Sequence, residues 1–289
     1  EPKAIPARKT NVQSYLGQHD VVYQEPSRDW DEGLPLGNGD MGALVSGVKG
    51  QEQTFYLDKT DIWLATADER PLGRSYAGTL RVRYKNRLPG RPFLQRLSLA
   101  RAEVGTQDGS YRSTARIHAL RNRFELEIDA SEVELVIERS PVTLWTDETS
   151  PYKNASRLYG SWAIGLLPGM LERMRKEASQ APHTSVQWGH KNRECWFLNT
   201  APNVSYAVLV SLQAAEVTWR QEGSACIGQV RRMGKEPILL QAAVATLSRG
   251  PVAPGDGVGF MNKWVLKKSH RSDGLILKSD IPLHTIDAL

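Results

Sequence analysis

Leu34-Pro35-Leu36-Gly37-Asn38-Gly39-Asp40-Met41-Gly42-Ala43-Leu44-Val45-Ser46-Gly47 is the least ordinary stretch of this chain. Gly37, Gly39 and Gly42 surround Asn38 and Asp40. Glycine, lacking a Cβ, lets the backbone enter left-handed conformations and lets another surface come close. Behind the turn, Met41, Ala43 and Val45 alternate with Gly42, Leu44 and Ser46, the period of a half-buried strand. The simplest reading is a tight connection between an extended incoming strand and the first core strand. A phosphate loop fits poorly, because no Lys-Ser/Thr and no helical period follow the glycines.

The same alternation recurs on either side. Upstream, Asp20 to Gln24 carries the β-formers Val21-Val22-Tyr23, and residues 1–19 are polar and read as a surface arm. Downstream, Gln53 to Leu57 reads as a strand, and Lys59-Thr60-Asp61 as a turn or short helix with Thr60 as its cap. Leu80, Val82 and Tyr84 alternate with Arg81, Arg83 and Lys85. Asp108-Gly109 marks a hairpin between Ala102 to Thr106 and Tyr111 to Ala119. Phe124-Leu126-Ile128 and Val133-Leu135-Ile137, joined through Asp129-Ala130-Ser131, are expected as consecutive antiparallel strands.

Pro141, a Ser/Thr/Asp/Asn-rich piece from Thr146 to Ser156, and Pro168-Gly169 mark an insertion at about 140–182. Within it Met170 to Ala178 has the helix formers for one short surface helix. Strand patterns resume at 185–189, 194–198, 204–212, 216–220, 225–233 and 238–246, and no fixed-period repeat is present. The expected fold class is therefore all-β, one large antiparallel β-sandwich over residues 20–250 with a short helical insertion, followed by a looser segment, 251–289.

A charge of +5, from 37 Lys plus Arg against 32 Asp plus Glu scattered along the chain, gives no basic stripe or recognised nucleic-acid module. No apolar run is long enough to cross a membrane as a helix. Cys195 and Cys226 are the two cysteines, far apart and without metal-ligand spacing, so buried free thiols are expected, or one disulfide if the protein is exported. The first residues, Glu1-Pro2-Lys3, suit a mature chain after signal removal or a trimmed one, so a secreted or periplasmic location is the expectation. No cofactor or metal site is expected from the residue spacing.

Trp30, the Leu34 to Gly42 block, and Leu57-Asp58-Lys59-Thr60-Asp61-Ile62-Trp63 together resemble the opening of the amino-terminal sandwich of glycoside hydrolase family 95, the α-L-fucosidase-like enzymes and their bacterial relatives. The resemblance is specific over residues 30–63. Asp40 and Lys59 suit an uncharacterised relative better than a standard fucosidase. It implies a β-supersandwich, a carbohydrate as the partner, and catalytic groups carried not here but on an (α/α)₆ barrel toward which 251–289 would lead. No catalytic residue is therefore assigned within this chain.

Two places are expected to contact carbohydrate or that barrel. One is the Asn38–Asp40 turn, framed by Gly37, Gly39 and Gly42, where short polar side chains on a rigid frame can aim hydrogen bonds. The other is Trp188-Gly189-His190-Lys191-Asn192, where Trp188, His190 and Asn192 combine the aromatic and polar groups of a sugar site. His190 could equally serve a turn, and Trp30 and Trp63 read as core anchors. A stand-alone carbohydrate-binding module and a ligand-free structural sandwich stay open as alternatives.

Overall fold

The computed structural model describes residues 11–27, 32–49, 51–60, 62–65, 71–74, 76–84, 92–139, 185–200 and 205–247. The elements in chain order are α1 (Val12–Gly17), β1 (Val21–Tyr23), β2 (Leu34–Gly37), β3 (Met41–Lys49), β4 (Glu52–Lys59), β5 (Trp63–Ala65), β6 (Pro71–Arg74), β7 (Gly78–Tyr84), β8 (Leu94–Ser98) and β9 (Glu103–Asp108). They continue with β10 (Tyr111–Ile117), β11 (Arg123–Asp129), β12 (Glu132–Arg139), β13 (Ser185–Lys191), β14 (Glu194–Thr200), β15 (Ser205–Gln213), β16 (Ala215–Glu222), β17 (Ala225–Arg232) and β18 (Ile238–Leu247).

These strands build two large antiparallel sheets. One has nine strands in the order β1-β8-β9-β10-β11-β18-β15-β14-β13, the other seven in the order β16-β17-β12-β7-β4-β3-β2, and β5-β6 form a separate ribbon. The all-β sandwich expected from the alternating pattern is the observed architecture. Strands β4, β9 and β10 each bury every second side chain, so Phe55, Leu57, Leu80 and Val82 of one sheet meet Val104, Phe124, Leu126 and Val208 of the other in one continuous core. Strand β15 differs, being buried on both faces from Ser205 to Leu212, so the larger sheet is covered on its outer side there as well.

The link between β11 and β12 corrects the sequence expectation. The two strands are antiparallel to other partners, not to each other: β11 pairs with β10 and β18, and β12 with β7 and β17. The link carries no left-handed glycine pair to close a two-residue hairpin, and it moves the chain from one sheet to the other. The corner is fastened by Arg232 N–H donating to the Ser131 carbonyl at 2.9 Å and by an ion pair from Arg232 to Asp129 at 2.7 Å.

One local feature differs from the sequence reading: within the polar arm the chain forms α1, a short exposed helix whose Asn11 cap accepts from Ser14 N–H at 3.2 Å. Of the turn or short helix expected at Lys59-Thr60-Asp61, Thr60 lies in a turn, directly after β4 ends at Lys59. The insertion at 140–182 falls outside the described residues, as do the segment 251–289 and Trp30.

Candidate functional site

The Gly37-Asn38-Gly39-Asp40 turn is the hairpin between β2 and β3, closed by the Gly37–Gly42 pair. Gly39 has φ +97°, the conformation glycine was expected to supply. Gly37 and Gly42 do not take left-handed φ values; they are strand residues at which an added Cβ would make ordinary contacts. The Asn38 carboxamide oxygen folds back to accept from Asp40 N–H at 3.1 Å and Met41 N–H at 2.8 Å, holding the turn from within.

Its amide nitrogen points the other way, into the loop between β10 and β11 on the opposing sheet. There it donates to the carbonyls of His118 at 3.1 Å and Arg121 at 3.2 Å and to Asn122 Oδ1 at 3.1 Å. Asp40 completes the latch. One carboxylate oxygen accepts from Asn122, and the other accepts from Lys59 Nζ at 3.1 Å and Thr60 Oγ1 at 2.8 Å. The Lys59 side chain is 2% exposed, and the Asp40 carboxylate beside it offsets the charge of its ammonium. Thus Asn38 and Asp40 lie together as the sequence suggested, joined by Lys59, Thr60 and Asn122, which sequence reasoning did not assign to the turn.

The second stretch is edge strand β13 with the turn after it. Trp188 faces inward, half-buried, its ring 4.8 Å from Phe197 and tilted by 48°. His190 is exposed at the strand end, and Asn192 occupies the β13–β14 turn with φ +53°. The Asn192 contribution is through its backbone: its carbonyl accepts from Trp219 Nε1 at 3.0 Å, tying the edge of one sheet to the edge of the other. Trp188, His190 and Asn192 share no hydrogen bond that would gather them into one constellation with the Asn38 turn.

A third polar group lies between the sheets. Gln53, fully buried, donates to Thr106 Oγ1 at 2.8 Å and accepts from Tyr111 OH at 2.8 Å and Ser113 Oγ at 2.7 Å. Gln95 donates to the same Thr106 oxygen at 3.0 Å. Tyr84 OH donates to Asp108 at 2.5 Å, and its ring stacks on Tyr111 with centroids 4.0 Å apart. Burial pushes the Tyr111 hydroxyl well above its usual range, so it stays a neutral donor. The alternation of β4, β8, β9 and β10 signalled which side chains point inward but not that these inward residues would be polar partners. Among the described residues no group of three or more His, Cys, Asp or Glu is placed to hold a metal, and no helix is long and apolar enough to cross a membrane.

Fold and site together define an antiparallel β-sandwich domain whose two sheets are joined by a glycine-framed polar latch. Residues 22–214 match DUF5703_N, described as a domain of unknown function (DUF5703), and the chain belongs to this family. No curated protein matches the sequence. Among solved structures, the chain is similar to a "Putative kojibiose phosphorylase from human microbiome", at 8% identity and a TM-score of 0.45 over 86% of this chain. The chain spans 34% of that protein's length.

Proposed function

We propose that this chain is a non-catalytic amino-terminal sandwich of a carbohydrate-active enzyme, one that packs against a catalytic domain of the same polypeptide. The carrying observation is the closed state of the signature turn. Both oxygens of Asp40 and both ends of the Asn38 amide are engaged within the fold, leaving the most distinctive residues of the chain with a holding role instead of acid–base chemistry. Support also comes from the likeness of residues 30–63 to the opening of family 95 sandwiches and from the DUF5703_N match. The latch presents one apolar contact outward: Leu120, at the tip of the loop that Asn38 grips, is 89% exposed. A catalytic domain packed on this loop would bury Leu120.

The test is turnover of a panel of aryl glycosides. The 289-residue chain is expected to release no aryl alcohol, and activity is expected only in a polypeptide that also carries the helical catalytic domain. There, Leu120→Asp should lower activity without unfolding the sandwich. Turnover by the 289-residue chain that is abolished by Asp40→Asn would overturn the reading.

A further inference from the structure

Cys195 and Cys226 are the two cysteines of the chain, and they point into the core from opposite sheets. Cys195 shares the inward face of β14 with Phe197, and Cys226 shares that of β17 with Val230; they are 0% and 1% exposed. A free cysteine packs as a small apolar side chain, so burial alone needs no further reason. What sets these two apart is that they face each other.

The crossing of the sheets brings them together. In the seven-stranded sheet β16, β17, β12 and β7 lie side by side in that order, and β14 of the larger sheet runs across them. At Phe197 it lies over β7, where the ring stands 3.1 Å from the Cβ that Gly78 lacks. At the turn that leads into it, the Asn192 carbonyl accepts from Trp219 Nε1 on β16 at 3.0 Å. Cys195 falls between these two contacts and so lies over the strands between β16 and β7. Trp219 pairs with Gly228, and Cys226 is the next inward residue along β17. The two sulfurs stand within hydrogen-bonding reach of each other.

We propose that Cys195 and Cys226 are the site of a disulfide that joins the two sheets when the chain folds in an oxidising compartment, with the free thiols as its reduced form. A bond of this kind spans the packed sheets of antibody domains. The oxidant is another disulfide, with oxidised glutathione as the simplest case. One cysteine thiolate attacks a glutathione sulfur, the S–S bond breaks, and the first glutathione thiolate leaves. The second cysteine thiolate attacks the protein sulfur of the mixed disulfide and releases the second. Two protein thiols are thereby oxidised to one disulfide, one glutathione disulfide is reduced to two thiols, and the departing thiolates take up the two protons. The reaction belongs to the folding chain. Once the sheets have closed, no oxidant reaches either sulfur and burial keeps the Cys195 thiol protonated. The bond closes a loop of about thirty residues that holds β15 and β16, where the chain passes between the sheets, so it restricts chiefly the unfolded chain.

The test is refolding of the reduced 289-residue chain from urea, once in a mixture of oxidised and reduced glutathione and once with excess dithiothreitol. In the glutathione mixture the chain is expected to lose the mass of two hydrogens, to show no thiol titratable in denaturant, and to yield proteolytic fragments joined through Cys195 and Cys226. Its urea midpoint should exceed that of the reduced chain by about 1 M, with unchanged β circular dichroism. Cys195→Ala and Cys226→Ala should each show no such difference between the two buffers. Should a variant fail to fold, the oxidised parent is unfolded, reduced and refolded with dithiothreitol, and its midpoint should return to the lower value. The proposal is overturned if the parent refolded in glutathione keeps both thiols or carries only glutathione adducts. It is equally overturned if the disulfide lowers the midpoint, if a single variant keeps the rise, or if reduction leaves the rise in place.

Discussion

Asn38 and Asp40 divide one task between them. Asn38 carries two backbone amides of its own turn and three oxygens of the facing loop, and Asp40 compensates an ammonium that is almost wholly removed from water. Asn38→Ala should cost about 1–2 kcal/mol in urea denaturation, since five partly solvent-accessible bonds are lost together. Asp40→Ala should cost about 2 kcal/mol by taking a carboxylate away from the almost buried Lys59 ammonium, and adding Lys59→Met should recover much of that loss. Gly39→Ala should destabilise the turn by about 1 kcal/mol through its positive φ, whereas Gly37→Ala should stay within about 0.5 kcal/mol. The glycine-framed turn was legible in the sequence as a special backbone. Its partners were not, because His118, Arg121 and Asn122 are ordinary loop residues until the sandwich brings them to it. Acid response belongs to this scale as well. Burial pushes Glu125 up, yet hydrogen bonding to Arg116 and the charges of Arg123 and Arg116 outweigh it, so its pKa lies below the usual carboxylate range. With the folded value depressed, the stabilisation is complete above the unfolded value of about 4.3 and is lost as pH falls through the folded one. Urea midpoints should therefore drop below about pH 4, less steeply in Glu125→Gln than in the parent.

Strands carried a strong signal because one face of each is buried, and alternation survives whatever partner a strand finds. That is also why the partition into sheets was hidden. Phe124-Leu126-Ile128 and Val133-Leu135-Ile137 would alternate identically as a hairpin or as members of opposite layers, and only the pairing of β11 with β18 and of β12 with β7 and β17 decides. Two tryptophans show what strand-level reading leaves out. Trp196 lies across from Gly189 and Trp219 across from Gly228, and in both cases the indole covers the bare glycine of the neighbouring strand. A Cβ at Gly228 would sit 2.5 Å from the Trp219 ring, and one at Gly189 would sit 2.3 Å from the Trp196 ring. Gly228→Ala must push Trp219 aside and break its bond to the Asn192 carbonyl, the tie between the two sheet edges. A loss of about 2 kcal/mol is expected in urea denaturation, and an unchanged midpoint would show that the indole moves aside without cost.

At the scale of the whole molecule the question is whether the two sheets hold together as one cooperative unit. The Gln53, Gln95, Thr106, Tyr111 and Ser113 network and the Asn38 latch both run from one sheet to the other, so opening either interface strands buried polar groups on both. The cysteines provide a reporter, one on each side. Cys195 on β14 and Cys226 on β17 are both buried and free, and their thiols lie within hydrogen-bonding reach across the core. Burial pushes the Cys195 thiol upward, which keeps it in the unreactive protonated form. Both thiols should therefore be inert to an aromatic disulfide reagent in the folded chain and react together in denaturant. Thiol exposure and loss of β circular dichroism should follow a single transition with one midpoint. Were one cysteine to react at lower denaturant than the other, the sheet carrying it would be opening first. The cross-sheet network would then be too weak to couple the layers, and Gln53→Leu, which strands Tyr111 and Ser113, would leave that early step unmoved instead of shifting it.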